Sequence, residues 1–359
     1  MEFTMSGRLE VRVSPSDVGK RVSVRSLAAP GPEGDPTGPR FTDTVGVLTS
    51  WNAGVLHVTR RNGERVRIAE DRLVAGKVVP AAPARVRGLP AADTAELERV
   101  AARGWPAVET ERLGDWLLRA AGGFTRRANS VLALGDPGLP LDEALERVRA
   151  WYARRALPAH VHTTVGGPDT GERLAAALAD RGWRPVAHAE VWTGALAPIV
   201  DRGVDTSAVR LSREADEAWL ARYNRSAGLG PQALRVLGGG PSVWFATVPD
   251  GPDEPGGPTI EDAAGEAAGS GAPAAIGRVV VDGRWAGFGA VETAPHLRRR
   301  GLAAAVVAAL AERAASEGAR AGYLQVETDN EAARAMYGRL GFARHHGYQH
   351  WRAPDGPRS

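Results

Sequence analysis

The stretch Val291-Glu-Thr-Ala-Pro-His-Leu-Arg-Arg-Arg-Gly-Leu-Ala303, followed at once by the alanine-rich run Ala304 to Glu317, constrains this chain more than any other. The residues before Pro295 read as the end of a strand and those after Gly301 as a helix, so the first helical turn falls within Arg299 to Ala303. A strand, a short basic loop and a helix N-terminus make an anion site. The first N–H groups of a helix lack intrahelical partners and the dipole there favours negative charge, so a diphosphate can accept several backbone hydrogen bonds together. Gly301 lets the backbone approach such a ligand closely, and Ala303 keeps the opposite side thin. The Gly-rich loop ending in Lys-Ser/Thr is absent, as is Gly-x-Gly-x-x-Gly, so neither a P-loop nor a Rossmann unit is indicated.

Two ordered motifs carry a family resemblance. Arg298-x-x-Gly301-x-Ala303 resembles the pyrophosphate-binding motif Arg/Gln-x-x-Gly-x-Gly/Ala of the GNAT N-acetyltransferases. After one helix and a strand, Gly322-Tyr-Leu-Gln-Val-Glu327, comes Asn330-x-x-Ala333-x-x-x-Tyr337-x-x-x-Gly341-Phe342, which is similar to that family's second signature. The resemblance implies acetyl-CoA as cofactor. It places the pantetheine amides on the backbone of Val291, Glu292 and Thr293, the diphosphate on Arg298, Arg299, Arg300, Gly301, Leu302 and Ala303, and Asn330, Ala333 and Tyr337 beside the cofactor. It also implies acetyl transfer to a primary amine of a small molecule or amino acid, glutamate-like acceptors included. A protein or peptide acceptor is the alternative, because the group it resembles is labelled both N-acetylglutamate synthase-like and histone-type; a CoA-holding binding module is another.

Direct attack by a neutral amine needs a proton acceptor and a donor for the leaving thiolate, but no covalent nucleophile. The chain has no cysteine, which excludes disulfides, thiolate nucleophiles and cysteine-based zinc sites. Tyr337 is the expected donor. It follows Asn330 by two helical turns, so both point the same way, and an unperturbed phenol stays protonated at neutral pH. Tyr337 as a packing residue and Asn330 as an ordinary N-cap are the structural alternatives. The base stays open between Glu292 and Glu327, for Gln325, where some relatives carry Glu, cannot take a proton. Arg126 and Arg127, with Asn129 and Gln325, are the candidate acceptor-binding groups. No metal is expected: His345, His346 and His350 lack carboxylate or cysteine companions and read as exposed strand residues.

The expected fold class is α/β (α+β), with tandem GNAT-like halves preceded by a small barrel. Residues 1–83 read as short strands with turn chemistry between them and resemble an SH3-like barrel. Residues 84–92 are an Ala/Pro-rich linker. Residues 93–196 repeat the element order of the C-terminal part and read as a degenerate GNAT-like half. Laying Gly182-Trp183 on Gly341-Phe342 pairs Leu178 with Tyr337 and Gly171 with Asn330, and Gly135-Asp-Pro-Gly-Leu-Pro140 replaces the arginine loop. Residues 197–207 connect to the catalytic domain, 208–353, which carries a Gly/Ala/Pro/acid-rich insertion at 249–273 expected to be disordered.

Residues 1–90 hold 14 Lys+Arg against 9 Asp+Glu, whereas the whole chain is only +3. Weak, non-specific nucleic-acid binding through the N-terminal domain is therefore an allowed partner reading. Without it, a chain starting near Ala91 is expected to fold around its own core. Met1 to Gly7 has neither a basic n-region nor an apolar h-region, and no apolar run approaches the ~20 residues of a membrane span, so a cytoplasmic location and no membrane partner are expected. The oligomeric state is not legible.

Overall fold

The computed structural model describes residues 11–27, 41–60, 63–79, 89–167, 170–224, 230–250 and 272–354. The Pro/Gly-rich stretch 29–39, which reads as a long loop between strands, most of the linker and most of the insertion at 249–273 lie outside the described residues. In chain order the elements are β1 (Val11–Arg12), β2 (Arg21–Leu27), β3 (Phe41–Asn52), β4 (Val55–Arg60), β5 (Arg65–Ala69) and β6 (Leu73–Val78). Next come α1 (Thr94–Gly104), β7 (Glu109–Leu113), β8 (Trp116–Ala120), β9 (Val131–Leu132), α2 (Leu141–Ala153), β10 (His160–Val165), α3 (Glu172–Asp180) and β11 (Arg184–Ala195). The rest is α4 (Ala197–Val200), β12 (Arg210–Ser212), α5 (Glu217–Arg222), α6 (Pro231–Gly238), β13 (Ser242–Val248), β14 (Ala275–Asp282), β15 (Trp285–Thr293), α7 (Leu302–Ser316), β16 (Ala321–Glu327), α8 (Glu331–Arg339) and β17 (Ala343–Arg352). Two compact units result, and both are discontinuous in sequence: Met1–Ala84 with Val161–His188 and His346–Ser359, and Arg85–His160 with Ala189–His345.

In the first unit the N-terminal strands pair in the order β1-β6-β2-β3-β4-β5. Alternation along β2 buries Val22 and Val24, which meet Leu48, Leu56, Val58 and Ile68 in a small core. The barrel expected from the sequence is not closed: among the described residues β1 contributes two residues, pairs with β6, and ends the order on its side. Helix α3 belongs to this same unit. Arg65 of β5 pairs with Asp180 at 3.0 Å, and Gly19 abuts the Arg173 side chain. A chain cut near Ala91 would expose these faces of α3. His346 and His350 are also not exposed. Residues 346–351 are buried without alternation, which means both faces of that strand are covered, and His350 sits edge-on to Tyr348 and to His162. No group of three or more metal-ligating side chains occurs among the described residues.

The second unit is built on the strand order β12-β13-β14-β15-β16-β11. Strand β14 shows how its two faces are filled. Ala275, Val279 and Val281 turn to a cluster containing Val306, Val307 and Leu310 of α7, and Ile276 and Val280 turn to one containing Trp105, Trp219, Val236 and Leu237. Helix α7 thus covers one face; α5, α6 and the end of α1 cover the other. Gly277 is required here, since a Cβ would run into Val306. Helix α6 and strand β7 were not anticipated from the sequence; Arg126–Ala128 form a 3-10 turn, followed by the two-residue β9. No helix among the described residues is long and apolar enough to cross a membrane.

The two helix ends aligned in the sequence share their local geometry. Helices α3 and α8 each run for nine residues and end at a glycine with positive φ, 76° at Gly182 and 97° at Gly341. The following aromatic closes the turn in the same way: Trp183 N–H donates to the Leu178 carbonyl and Phe342 N–H to the Tyr337 carbonyl, both at 3.0 Å. Helix α2 differs from α7 where it matters for an anion: its first turn carries Asp142 and Glu143, and that of α7 carries no acid.

Candidate active site

The site begins where two parallel strands part. β15 and β16 are paired only from Trp285↔Ala321 to Phe288↔Leu324, after which the ladder stops although both strands continue. On its other edge β15 stays bonded to β14 as far as Ala275↔Thr293. The backbone of Gly289 to Thr293 therefore has one edge used and one edge facing the gap. A β-bulge marks the parting: between Ile276↔Glu292 and Arg278↔Gly289, two residues of β15 oppose the single Gly277, and Ala290 adopts φ 50°. The bulge also resets side-chain alternation. Phe288 and Val291 both lie with the α7-side cluster, and Ala290 with the opposite one. Without the extra residue Glu292 would face α7; with it, Glu292 faces the α5 side and accepts a hydrogen bond from Asn224 N–H at 2.9 Å.

Beyond β15 the chain makes a turn at Pro295–Leu297 and reaches α7 through Arg298, Arg299 and Arg300, all exposed and, among the described residues, without an ion pair. Arg299 and Gly301 both have positive φ, 67° and 84°. Gly301 is the N-cap and has no side chain to satisfy the first N–H groups of α7; a Cβ there would meet nothing within 4 Å. An uncapped helix end, three unpaired guanidiniums and open space beside the backbone fit a diphosphate. The gap edge of Gly289 to Thr293 fits the amide groups of a pantetheine arm in the manner of an added strand.

On the α7 face, Tyr337 is 7% exposed and stands edge-on to Phe342 at 5.8 Å, which in turn stands edge-on to Phe288 at 5.9 Å. Phe288 is the last residue of β15 paired with β16, so this aromatic chain leads from the parting point to Tyr337. Phe342 reaches it because Gly194 and Gly322 leave the sheet surface bare beneath its ring. Burial pushes the Tyr337 phenol well above its ordinary pKa, so it stays protonated. Asn330 is the N-cap of α8 and accepts from Ala333 N–H at 3.1 Å.

On the opposite face, Gln325 is the first residue of β16 past the pairing, and its Oε1 accepts from Arg127 Nη1 at 2.8 Å. Of the acceptor candidates, then, the structure brings Arg127 and Gln325 together. Arg126 is exposed beside them, and Asn129 is occupied elsewhere: its Oδ1 accepts from Ala121 N–H and Gly123 N–H, and its Nδ2 donates to the Phe124 and Thr125 carbonyls, all at 2.8–2.9 Å. Glu327 is exposed at the end of β16. Two residues escaped the sequence reading, Trp105 and Arg278. Arg127 lies over the Trp105 ring at 4.6 Å and Arg278 at 5.0 Å. An arginine inside the apolar run Ala275 to Val281 was the available signal for the second.

A parallel strand pair split by a bulge, with a basic turn and an uncapped helix at its open end, fits the cofactor placement that the resemblance to the GNAT N-acetyltransferases implies. The fold agrees: a GCN5-related N-acetyltransferase from Kribbella flavida superposes with a TM-score of 0.52, covering 73% of this chain and 96% of that one at 16% identity. The chain belongs to the GNAT family whose model is described as "Probable histone acetyltransferase Rv0428c C-terminal", which matches residues 91–351. It is 30% identical over 348 residues to the probable histone acetyltransferase Rv0428c of Mycobacterium tuberculosis, covering 93% of this chain and 95% of that protein. It is 29% identical over 253 residues to the uncharacterized N-acetyltransferase YobR of Bacillus subtilis, covering 70% of this chain and 95% of that one.

Proposed function

We propose that the chain transfers the acetyl group of acetyl-CoA to the primary amine of a small molecule, with the cofactor held between β15 and β16 and at the α7 N-terminus. The observation that carries this is the two-sided gap: Tyr337 stands on the α7 face of the parted strands, and Glu292, Gln325 and Arg127 stand on the other. The bound thioester supplies an activated acetyl group. The residues of the chain orient it and manage two protons. A neutral amine arriving from the Gln325 side attacks the carbonyl carbon, and the C–N bond forms as the C–S bond breaks. Tyr337 gives its phenolic proton to the departing sulfur. Glu292, fixed by Asn224 N–H, takes the amine proton through a water and is better oriented for this than the exposed Glu327.

Residues 93–196 act as a degenerate half in this reading. Asp142 and Glu143 at the start of α2 repel the diphosphate that α7 attracts, so the half completes the fold and lends Arg127 to the acceptor side. The N-terminal sheet is an SH3-like accessory module. The name of the M. tuberculosis relative supports a lysine-bearing peptide as the second acceptor class.

The test is thiol release from acetyl-CoA with a panel of amino acids, simple amines and basic peptides. Tyr337→Phe should bind acetyl-CoA as the parent does while kcat falls by a factor of about 10² to 10⁴. Unchanged turnover would make Tyr337 a packing residue only.

A further inference from the structure

Arginine is ordinarily matched by a carboxylate when it leaves solvent, and here two are not. Arg278 is 2% exposed and its guanidinium is satisfied by three backbone carbonyls, those of Leu237 and Gly239 at 2.6 Å and Gly104 at 3.0 Å. These carbonyls meet its hydrogen-bonding needs and leave its charge whole. Burial lowers its pKa only to about 10, so it is a cation at neutral pH. Arg127, half-buried, donates to a neutral amide oxygen, that of Gln325. Neither guanidinium has a carboxylate within 4 Å among the described residues. Both lie on the same indole, that of Trp105, and the charge of each disfavours the other. Two like charges in a partly desolvated site cost stability unless something negative joins them.

The place where this positive field opens is the acceptor side of the gap. Gln325 is the first residue of β16 beyond its pairing with β15, and Ala290, the bulge residue across the gap, packs against the same cluster as Trp105 and Phe124. The cofactor's phosphates do not account for it. They have their own site at the α7 N-terminus, reached from the open end of the gap, and the aromatic chain to Tyr337 is on the other face.

We infer that the acceptor is a small amine bearing a carboxylate, an amino acid, whose carboxylate docks on Arg127 at the β15–β16 gap. This rests on the acetyl-transfer reading above and specifies its substrate class. Arg127 offers the paired N–H donors that match a carboxylate, and the second cation, Arg278, strengthens the field without competing for the ligand. Gln325 is a positioning residue: by accepting from Nη1 it fixes the guanidinium without neutralising it. The stacked Trp105 and Phe124 rings, 6.0 Å apart, provide an apolar wall for the remainder of the acceptor. A lysine in a basic peptide would bring further positive charge to a site that already has too much.

The experiment compares common L-amino acids with their α-carboxamides and with basic peptides as acceptors for the full chain. The parent should favour the acid over its amide by at least tenfold in kcat/KM. Arg127→Gln should erase that preference, raising KM for the acid about 10- to 100-fold, the range of a lost hydrogen bond to a charged group, with KM for acetyl-CoA unchanged. Arg127→Lys should restore part of it, and Gln325→Glu, which hands Arg127 an internal carboxylate, should weaken the acid in the same direction. A preference that survives Arg127→Gln, or a parent that favours amides or basic peptides, overturns the inference. Calorimetric binding of the N-acetyl amino acid separates the two levels of the reading. Arg127-dependent binding without any turnover supports the carboxylate site and removes the acetyl-transfer reading; turnover with Arg127-independent binding removes the carboxylate site alone.

Discussion

Placing a negative charge at the helix end should separate folding from cofactor binding, and Gly301 is the position for it. Its φ of 84° and ψ of −5° are left-handed, and an added Cβ meets nothing within 4 Å, so substitution costs backbone strain without a clash. For Gly301→Ala that strain is about 1–2 kcal/mol, a fall in Tm of roughly 2–8 °C for a domain of this size. Gly301→Asp should lose no more than that, because aspartate tolerates the left-handed region better and its charge gains about 0.3–1 kcal/mol from the α7 dipole. The ligand sees the opposite. A carboxylate roughly 5 Å from a phosphate charge repels it by about 0.8 kcal/mol in bulk water and about 3 kcal/mol at an effective dielectric of 20. With two phosphate charges, acetyl-CoA should bind at least tenfold more weakly to Gly301→Asp than to Gly301→Ala. Calorimetric titration at 0.05 and 0.3 M salt measures this, and the gap between the two variants should narrow at the higher salt. Equal affinities would refute the assignment of the α7 N-terminus as the diphosphate site.

Two pH experiments follow from buried groups. Because burial raises the Tyr337 phenol, general-acid help should persist into the alkaline range where an ordinary tyrosine ionises; a kcat that falls on an alkaline limb below about pH 10, and does so equally in Tyr337→Phe, would point to a different acid. Glu172 is 1% exposed and its carboxyl pKa is raised by burial, although Gly166 N–H and the Thr170 hydroxyl donate to Oε1. A raised folded pKa means that the stability this group contributes is present below the unfolded value, about 4.3, and is lost as pH rises through the folded one. Glu172→Gln should therefore melt higher than the parent at pH 8, with the gap closing below about pH 4. A gap independent of pH would show that Glu172 is not carrying a buried charge.

Much of this was legible because the relevant signals are local. The glycine before α7 and the caps of α8 are each fixed by residues a few positions apart, and they fall where the sequence places them. The likeness of Gly182-Trp183 to Gly341-Phe342 was legible too, since both close the same turn after a nine-residue helix. What was not legible depends on residues far apart in sequence. The bulge at Ala290 leaves no compositional mark, yet it decides which face Glu292 occupies. Asn129 beside Arg126 and Arg127 looked like a binding constellation, and only the loop geometry shows its amide committed to four backbone groups. The meeting of Arg127 with Gln325 spans nearly two hundred residues. In the N-terminal part, short strands suggested closure, but closure needs a partner for the outermost strands, and strand spacing alone does not supply one.

The central claim, that acetyl-CoA lies along the parted edge of β15 and on the α7 N-terminus and nowhere else, is tested most directly by amide hydrogen exchange of the full chain with and without saturating acetyl-CoA. Protection should rise in Gly289 to Thr293 and in Leu302 to Ala304 and stay unchanged at Leu141 to Glu143, the corresponding helix start of the first half. Equal protection at both helix starts, or none at α7, would contradict the account.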